Sequence, residues 1–319
     1  MTNSEPFALL LPVYIGDHPD YLRAAFRSAV NEQTLRPDRV LLVRDGPVTS
    51  ELDRAIEELV AASPVPVQIV PVERSTGLGP ALDAGLAASP YDIVARMDAD
   101  DIAMPHRFEV QLPLIRAGAD IVGAGLVEFE LDPAMPGRRR VPPTEPEQIR
   151  GYARIHDPFN HPTVIYRRAA VLAAGGYGDL PLMEDYWLFS RMLAAGAHAR
   201  NVAEPLVYYR VGAGAYQRRG GRQQLRSELA LQRRLRAGGM ITHPQYVRNI
   251  IVRGGYRLLP WRVRRTLYRL VVAGYGARRG RNRPSTASSA RPSGAPDAPA
   301  RETPSHGANP NPVRGASNP

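Results

Sequence analysis

The chain contains no cysteine and no lysine. The first absence excludes disulfide cross-links and every thiolate-held zinc or iron centre. The second leaves arginine, backbone N–H groups or a bound cation as the means of meeting an anion. A GC-biased genome would produce the same replacement of lysine by arginine. Long hydrophobic runs are missing too. The opening stretch MTNSEPFALLLPVY has no basic segment before its short apolar run, so it reads as a cytosolic start leading into a first strand, not as a signal peptide or membrane span. Aromatic residues make up only 7% of the chain, and those in its basic C-terminal third follow no RNA- or DNA-binding motif.

What is present suits a globular protein. A length of 319 residues with 44% hydrophobic content allows a sizeable core, in one large domain or two small ones. The net charge of +10 is unevenly spread: residues 1–215 hold 20 Arg against 28 Asp plus Glu, and residues 216–319 hold 21 against 3. An acidic N-terminal two-thirds is thus joined to a strongly basic remainder.

Short apolar runs at 7–12, 39–44, 67–72 and 91–97 alternate with helical spacing at 20–32, 50–62 and 78–88. This βαβαβαβ order predicts an α/β fold, a mostly parallel, doubly wound sheet with helices on both faces. Ligands of such sheets sit beyond the carboxyl ends of the strands. Those ends are Pro12-Val-Tyr14, Arg44-Asp-Gly46, the Glu73–Gly77 stretch and the acidic run Asp98-Ala-Asp-Asp101. From 126 to 210 the pattern is mixed, with a helix expected at 146–155, a strand at 163–166 and an apolar helix at 185–195.

The acidic run carries the sharpest chemistry. If the fourth strand continues through it, Asp98 and Asp100 share one face with Ala99 turned away, and two oxygen donors converge. Hard Mg²⁺ or Mn²⁺ suits such a site, because these ions take one or two carboxylates plus the phosphates of a substrate. The competing reading is a solvated acidic turn capping a helix that starts near Pro105. Glu184 and Asp185, likewise, are either an ordinary helix N-cap or a chemical pair.

The ordered set PVY (12–14), RDGP (44–47), ERSTGLGPALDAG (73–85), ARMDADD (95–101), NHPTVIYR (160–167) and MEDYWL (183–188) resembles family 2 glycosyltransferases, especially the bacterial enzymes of exopolysaccharide, capsule and O-antigen assembly, amylovoran-type transferases among them. The resemblance covers 7 to about 280. It implies the GT-A fold, with a nucleotide-binding half and an acceptor-binding half, and an inverting, metal-dependent transfer of a hexosyl unit from a UDP-, dTDP- or GDP-sugar.

The resemblance also implies roles. Asp100, assisted by Asp98, would hold Mg²⁺ or Mn²⁺ on the donor diphosphate, while Asp101 caps the following helix. Asp45 would bond the nucleotide base, and Pro12 and Tyr14 would line its pocket. Asp185 would be the general base, with Glu184 beside it; adjacent carboxylates in a closed cleft raise each other's pKa towards what a base needs. Gly77 and Gly79 either let backbone approach the nucleotide or serve a tight turn. His161 either shapes the acceptor side or is structural. Arg218 and Arg219 stand where related processive enzymes carry QxxRW, but Gln217-Arg-Arg-Gly-Gly221 lacks the tryptophan; they either reach the diphosphate or form a solvated charge run.

Three segments follow: a catalytic domain over 1–215, a basic amphipathic helical extension over 216–280, and a disordered Pro/Ser/Ala-rich tail over 281–319. The expected partners are the nucleotide sugar, a saccharide or lipid-linked saccharide acceptor, and an anionic membrane surface, with no nucleic acid. In the stretch after Pro260 an apolar stripe (Val263, Leu267, Leu270, Val271) lies beside Arg262, Arg265 and Arg269, which places the protein peripherally on the inner face of the plasma membrane. Packing of that stripe on the catalytic domain is the alternative. A sugar nucleotidyltransferase is disfavoured, because the loop after the first strand is neither glycine-rich nor basic. A non-catalytic binding module is the reading from another class.

Overall fold

The computed structural model describes residues 5–212 and 221–255. Strands β1 (Phe7–Tyr14), β2 (Arg39–Asp45), β3 (Val67–Val72) and β4 (Ile93–Arg96) pair in parallel in the order β3-β2-β1-β4. Their crossovers carry α1 (Pro19–Phe26), α2 (Ser50–Ala62) and α3 (Leu78–Ala88). The alternation read from the sequence is therefore the topology of the first half.

Strand β1 is apolar along its whole length because both faces are covered, as parallel sheets require. Leu9, Leu11 and Val13 point to one side, against Leu22 and Phe26 of α1 and Leu52 and Ile56 of α2. Ala8 and Leu10 point to the other, against Ala81, Leu82 and Leu86 of α3. Helix α3 lies close to the sheet because Gly85 faces it: a Cβ there would run into Leu10 and lie 2.7 Å from Val43 Cγ2.

Beyond β4 come β5 (Ile102–Ala103), α4 (Arg107–Arg116), β6 (Ile121–Phe129), β7 (Arg139–Arg140), α5 (Pro146–Ala153), β8 (Ile165–Arg167), α6 (Arg168–Ala173), α7 (Glu184–Ala194) and β9 (Ala199–Arg210). The sheet continues as β4-β8-β6-β9-β5, with β8 antiparallel to both neighbours, β9 parallel to β6, and β7 paired off β6. Strands β6 and β9 were not expected from the sequence. Gly123 and Gly125 weaken the strand signal in β6, and Pro205 breaks it in β9; register shifts on either side of Gly125 absorb the irregularity.

Two further elements, α8 (Arg222–Ala237) and α9 (His243–Asn249), come after β9. Leu231 and Leu235 of α8 pack with Met183 and Tyr186 at the start of α7 and with Ile241. The outer face of α8 carries Arg222, Arg226, Arg233 and Arg236, all exposed. Buried Glu228 grips Arg253 in a two-pronged pair, at 2.6 and 2.9 Å. Arg253 also donates to the Ile155 carbonyl at 2.7 Å, and Asn249 to that of Arg154 at 2.9 Å. The C-terminal helices are thus clasped to the loop that follows α5. The 263–271 stripe and the 281–319 tail lie outside the described residues, and no helix among those described is long and apolar enough to cross a membrane.

Candidate active site

Strand β4 stops at Arg96, one residue short of the sequence expectation, and Asp98–Asp101 form the turn into β5. The carboxylates therefore converge by turning around a corner, not by sharing a strand face. Ligand oxygens of Asp98, Asp100 and Asp101 all lie within 4.8 Å of one another. Asp101 does not cap the following helix: its Oδ1 accepts the Arg210 N–H of β9 at 2.9 Å, and its Oδ2 is buried with no partner among the described residues.

Arg96, only 1% exposed, grips both oxygens of Asp98. Buried Arg107 donates to the Arg96 carbonyl at 2.7 Å. Burial, and then the charge of Arg96, pull the Arg107 pKa down to about 9. Arg210 donates from Nε to the Asp100 carbonyl at 2.9 Å, its guanidinium lying 3.8 Å from the Tyr21 ring centroid and 4.5 Å from that of Phe129.

This cluster holds more negative charge than the protein neutralises. Burial and then Asp98 push Asp100 up to about 6, and burial with both neighbours pushes Asp101 well above the carboxylate range. Asp17, in the loop after β1, is pushed up to about 7 by burial, with Asp100 and Asp98 adding to the shift, although it accepts the Tyr14 N–H at 2.9 Å. Hard oxygens, an orphaned Oδ2 and raised pKa values fit a small divalent cation.

On the neighbouring strands, Tyr14 is exposed at the end of β1 and Pro12 is buried within it. Asp45 ends β2 almost fully buried; its Oδ2 accepts the Ser75 hydroxyl at 2.8 Å, and its Oδ1 has no partner among the described residues. That oxygen is available to a ligand donor. Gly77 precedes α3 with φ +109°, a turn only glycine adopts easily, and a Cβ there would meet nothing. Gly79 instead packs towards loop and helix: its Cβ position would be 3.3 Å from the Gly178 carbonyl and 3.4 Å from Glu184 Cβ.

Glu184 and Asp185 occupy the first turn of α7, and neither caps it through its N-cap residue, which is Met183. Burial and then Asp185 push Glu184 up to about 7. Asp185 keeps 26% of its side-chain exposure; burial raises its pKa, while the Tyr186 N–H, at 2.7 Å from Oδ1, and a hydrogen bond with Asp157 oppose the rise. His161 has Nδ1 3.8 Å from Asp185 Oδ2, too long for a hydrogen bond, and Nε2 2.9 Å from the Tyr177 hydroxyl, which meets that of Tyr166 at 3.2 Å. Burial, and then Arg96, hold His161 well below its usual pKa, so it is a neutral imidazole. The charge of Arg96 lowers the pKa of Asp100 and of Glu184 and Asp185 alike, opposing the rise that burial causes. Arg218 and Arg219 lie outside the described residues.

The structure adds Arg96, Asp17, Arg210 and Asp157 to the residues read from the sequence. Only Arg96 had a local signal, two positions before Asp98; the other three are brought in by chain pairing.

The family described as "Glycosyl transferase family 2" matches residues 9–174. A UDP-Gal:alpha-D-GlcNAc-diphosphoundecaprenol beta-1,3-galactosyltransferase of Escherichia coli is 34% identical over 85% of this chain and 98% of its own length. The chain belongs to glycosyltransferase family 2. This glycosyltransferase is also 34% identical to the amylovoran biosynthesis glycosyltransferase AmsE of Erwinia amylovora, over 82% of this chain and 97% of that one. Its fold is that of S. aureus TarS, with a TM-score of 0.57 at 14% identity over 77% of this chain; the match spans 44% of the TarS chain. TarS 1–349 in complex with UDP-GlcNAc superposes with a TM-score of 0.56 over 72% of this chain and 66% of that one. The glycosyltransferase therefore has the GT-A-like mixed sheet that the sequence resemblance implies.

Proposed function

We propose that this glycosyltransferase moves a sugar from a nucleoside-diphosphate sugar to a saccharide or lipid-linked saccharide acceptor in cell-surface polysaccharide synthesis, with inversion at the anomeric carbon. The observation that carries the reading is the pair of acidic groups that both feel the charge of buried Arg96, one suited to a cation and the other to a base. The names of the relatives, one using UDP-Gal on a diphosphoundecaprenol-linked sugar, and the UDP-GlcNAc complex of the fold neighbour favour a UDP-sugar.

Asp100, Asp98 and Asp101 would hold Mg²⁺ or Mn²⁺. A bound ion neutralises the leaving diphosphate. Arg96 fixes Asp98 in place. Asp45 offers its free oxygen to a base N–H, beside exposed Tyr14. Asp185, partly exposed in the first turn of α7, takes the proton of the acceptor hydroxyl as the new bond forms at the anomeric carbon. Asp185→Asn is expected to leave donor binding, read by thermal shift with UDP-sugars, within about twofold and to slow transfer about 10²-fold or more. Transfer at the normal rate, or a product of retained configuration, would sink the single-base mechanism.

The same reading places the enzyme peripherally on the inner face of the plasma membrane. Support comes from α8, which buries its apolar face on α7 and turns four arginines outward.

A further inference from the structure

Between residues 221 and 255 the chain carries seven arginines and one carboxylate, Glu228, which is fully buried and held by Arg253. The outward surface of this stretch is therefore cationic, with no acidic side chain of its own to balance it. Helix α9 runs on without a break through the turn Ile250–Gly254. Its inward side is fixed at successive turns. Asn249 donates to the Arg154 carbonyl and to Gln232 of α8, both at 2.9 Å, Arg253 pairs with Glu228, and a Cβ on Gly254 would meet Leu225 of α8 at 3.6 Å. Residues 225, 228 and 232 thus face 254, 253 and 249, which makes α8 and α9 antiparallel neighbours.

The opposite side of α9 is aliphatic and exposed. Val247, Ile251 and Val252 are 42%, 68% and 60% exposed, on consecutive turns, with exposed Arg248 among them. On α8, Arg222, Arg226, Arg233 and Arg236 fall at spacings of 4, 7 and 3 residues and so form one stripe down its outer side. We propose that Val247, Ile251 and Val252 are the membrane-inserting edge of this glycosyltransferase, entering the acyl boundary of an anionic bilayer that the α8 arginines recruit. The inference rests on the peripheral placement proposed above and goes beyond it, since arginines alone would leave the protein among the head groups.

Charge complementarity selects the partner. An unbalanced arginine stripe calls for an anionic surface, and exposed aliphatic side chains on the neighbouring helix call for an apolar one just beneath it. An anionic bilayer supplies both in layers. Nucleic acid offers the anions without the hydrocarbon. The arginine stems are long enough to keep their guanidinium groups at phosphate level while shorter aliphatic side chains sit deeper. Because Asn249 and Arg253 tie the other side of the same helix to the loop after α5, the inserted edge is joined firmly to the catalytic domain.

The lack of cysteine allows the test to be made on the full chain. Ile251→Cys, Val252→Cys and, as a control at an exposed position of α2, Glu57→Cys are each labelled with the environment-sensitive fluorophore NBD. Each is mixed with phosphatidylcholine vesicles with and without phosphatidylglycerol. With phosphatidylglycerol present, the probes at 251 and 252 are expected to brighten, shift to the blue and be quenched by nitroxides on the lipid acyl chains, while the probe at 57 does not change. The unlabelled double variant Ile251→Ser, Val252→Ser is expected to bind these vesicles about tenfold or more weakly with its salt dependence unchanged, because no charge is removed. Flotation of the labelled chains with the probes at 251 and 252 unquenched overturns the inference and leaves the arginine anchor standing. A blue shift present before vesicles are added, or one that grows with protein concentration, also overturns it, assigning the edge to another part of the chain or to a second copy. Failure of the full chain to float at all removes the peripheral placement together with this edge.

Discussion

Replacing Glu184 by glutamine should stabilise the protein, and increasingly so as pH rises. Burial and then Asp185 hold this carboxyl at about 7 against an ordinary 4.5, so the folded state binds its proton more tightly than the unfolded chain does. The stability this proton contributes is complete below the unfolded value and is lost as pH rises through about 7. A displacement of about 2.5 units corresponds to about 3.4 kcal/mol in all, of which about 2 kcal/mol falls between about pH 5.5 and about pH 8.5. Glutamine keeps the volume and an oxygen acceptor but has no charge to bury. Thermal unfolding of the ligand-free full chain in EDTA should therefore show a variant-minus-wild-type Tm difference that is about 4–8 °C larger at the higher pH. A difference that stays flat with pH, or is larger on the acid side, would refute the placement of Glu184 in a desolvated, like-charged site.

Asp100→Asn should abolish both the Mn²⁺-dependent part of the thermal shift given by UDP-sugars and the transfer activity; full activity in EDTA would reject the cation site. Replacing Arg222, Arg226, Arg233 and Arg236 with glutamine in the full chain should weaken flotation with anionic liposomes about 10³-fold, at about 1 kcal/mol per arginine near the surface. Binding that ignores these changes, lipid charge and salt alike would remove the electrostatic anchor.

The first half of the fold was legible because each buried parallel strand is a short apolar run and each crossover helix has its own period. The turn into β5 was harder. The DAD spacing reads equally well as strand or turn, and only the structure shows the carboxylates meeting around a corner. Asp45 and the Glu184–Asp185 pair were visible as carboxylates at ends of elements. Asp17 meets the acidic turn because β1 and β4 are neighbours, and Arg210 meets Asp101 across 109 residues because β9 runs beside β5. Asp157 sits in HDPFNHP with nothing local to set it apart. Its segment meets α7, with Tyr186 bonding the Ala153 carbonyl and Phe159 edge-on to Phe189, a relation no window of sequence contains.

The Glu228–Arg253 clasp has a consequence for the order in which the enzyme is made. Domains assemble as the ribosome releases them, N-terminal parts first. The nucleotide-side sheet is complete once β9 has emerged, but the loop after α5 gains its last two anchors only when Asn249 and Arg253 follow. A chain interrupted between these points would carry the acidic turn while the loop after α5 lacks those two bonds, and a chain interrupted after Glu228 would leave that carboxylate without its guanidinium. The growing polypeptide is thus expected to acquire donor recognition before sugar transfer, so that an unfinished copy holds a nucleotide sugar without consuming it.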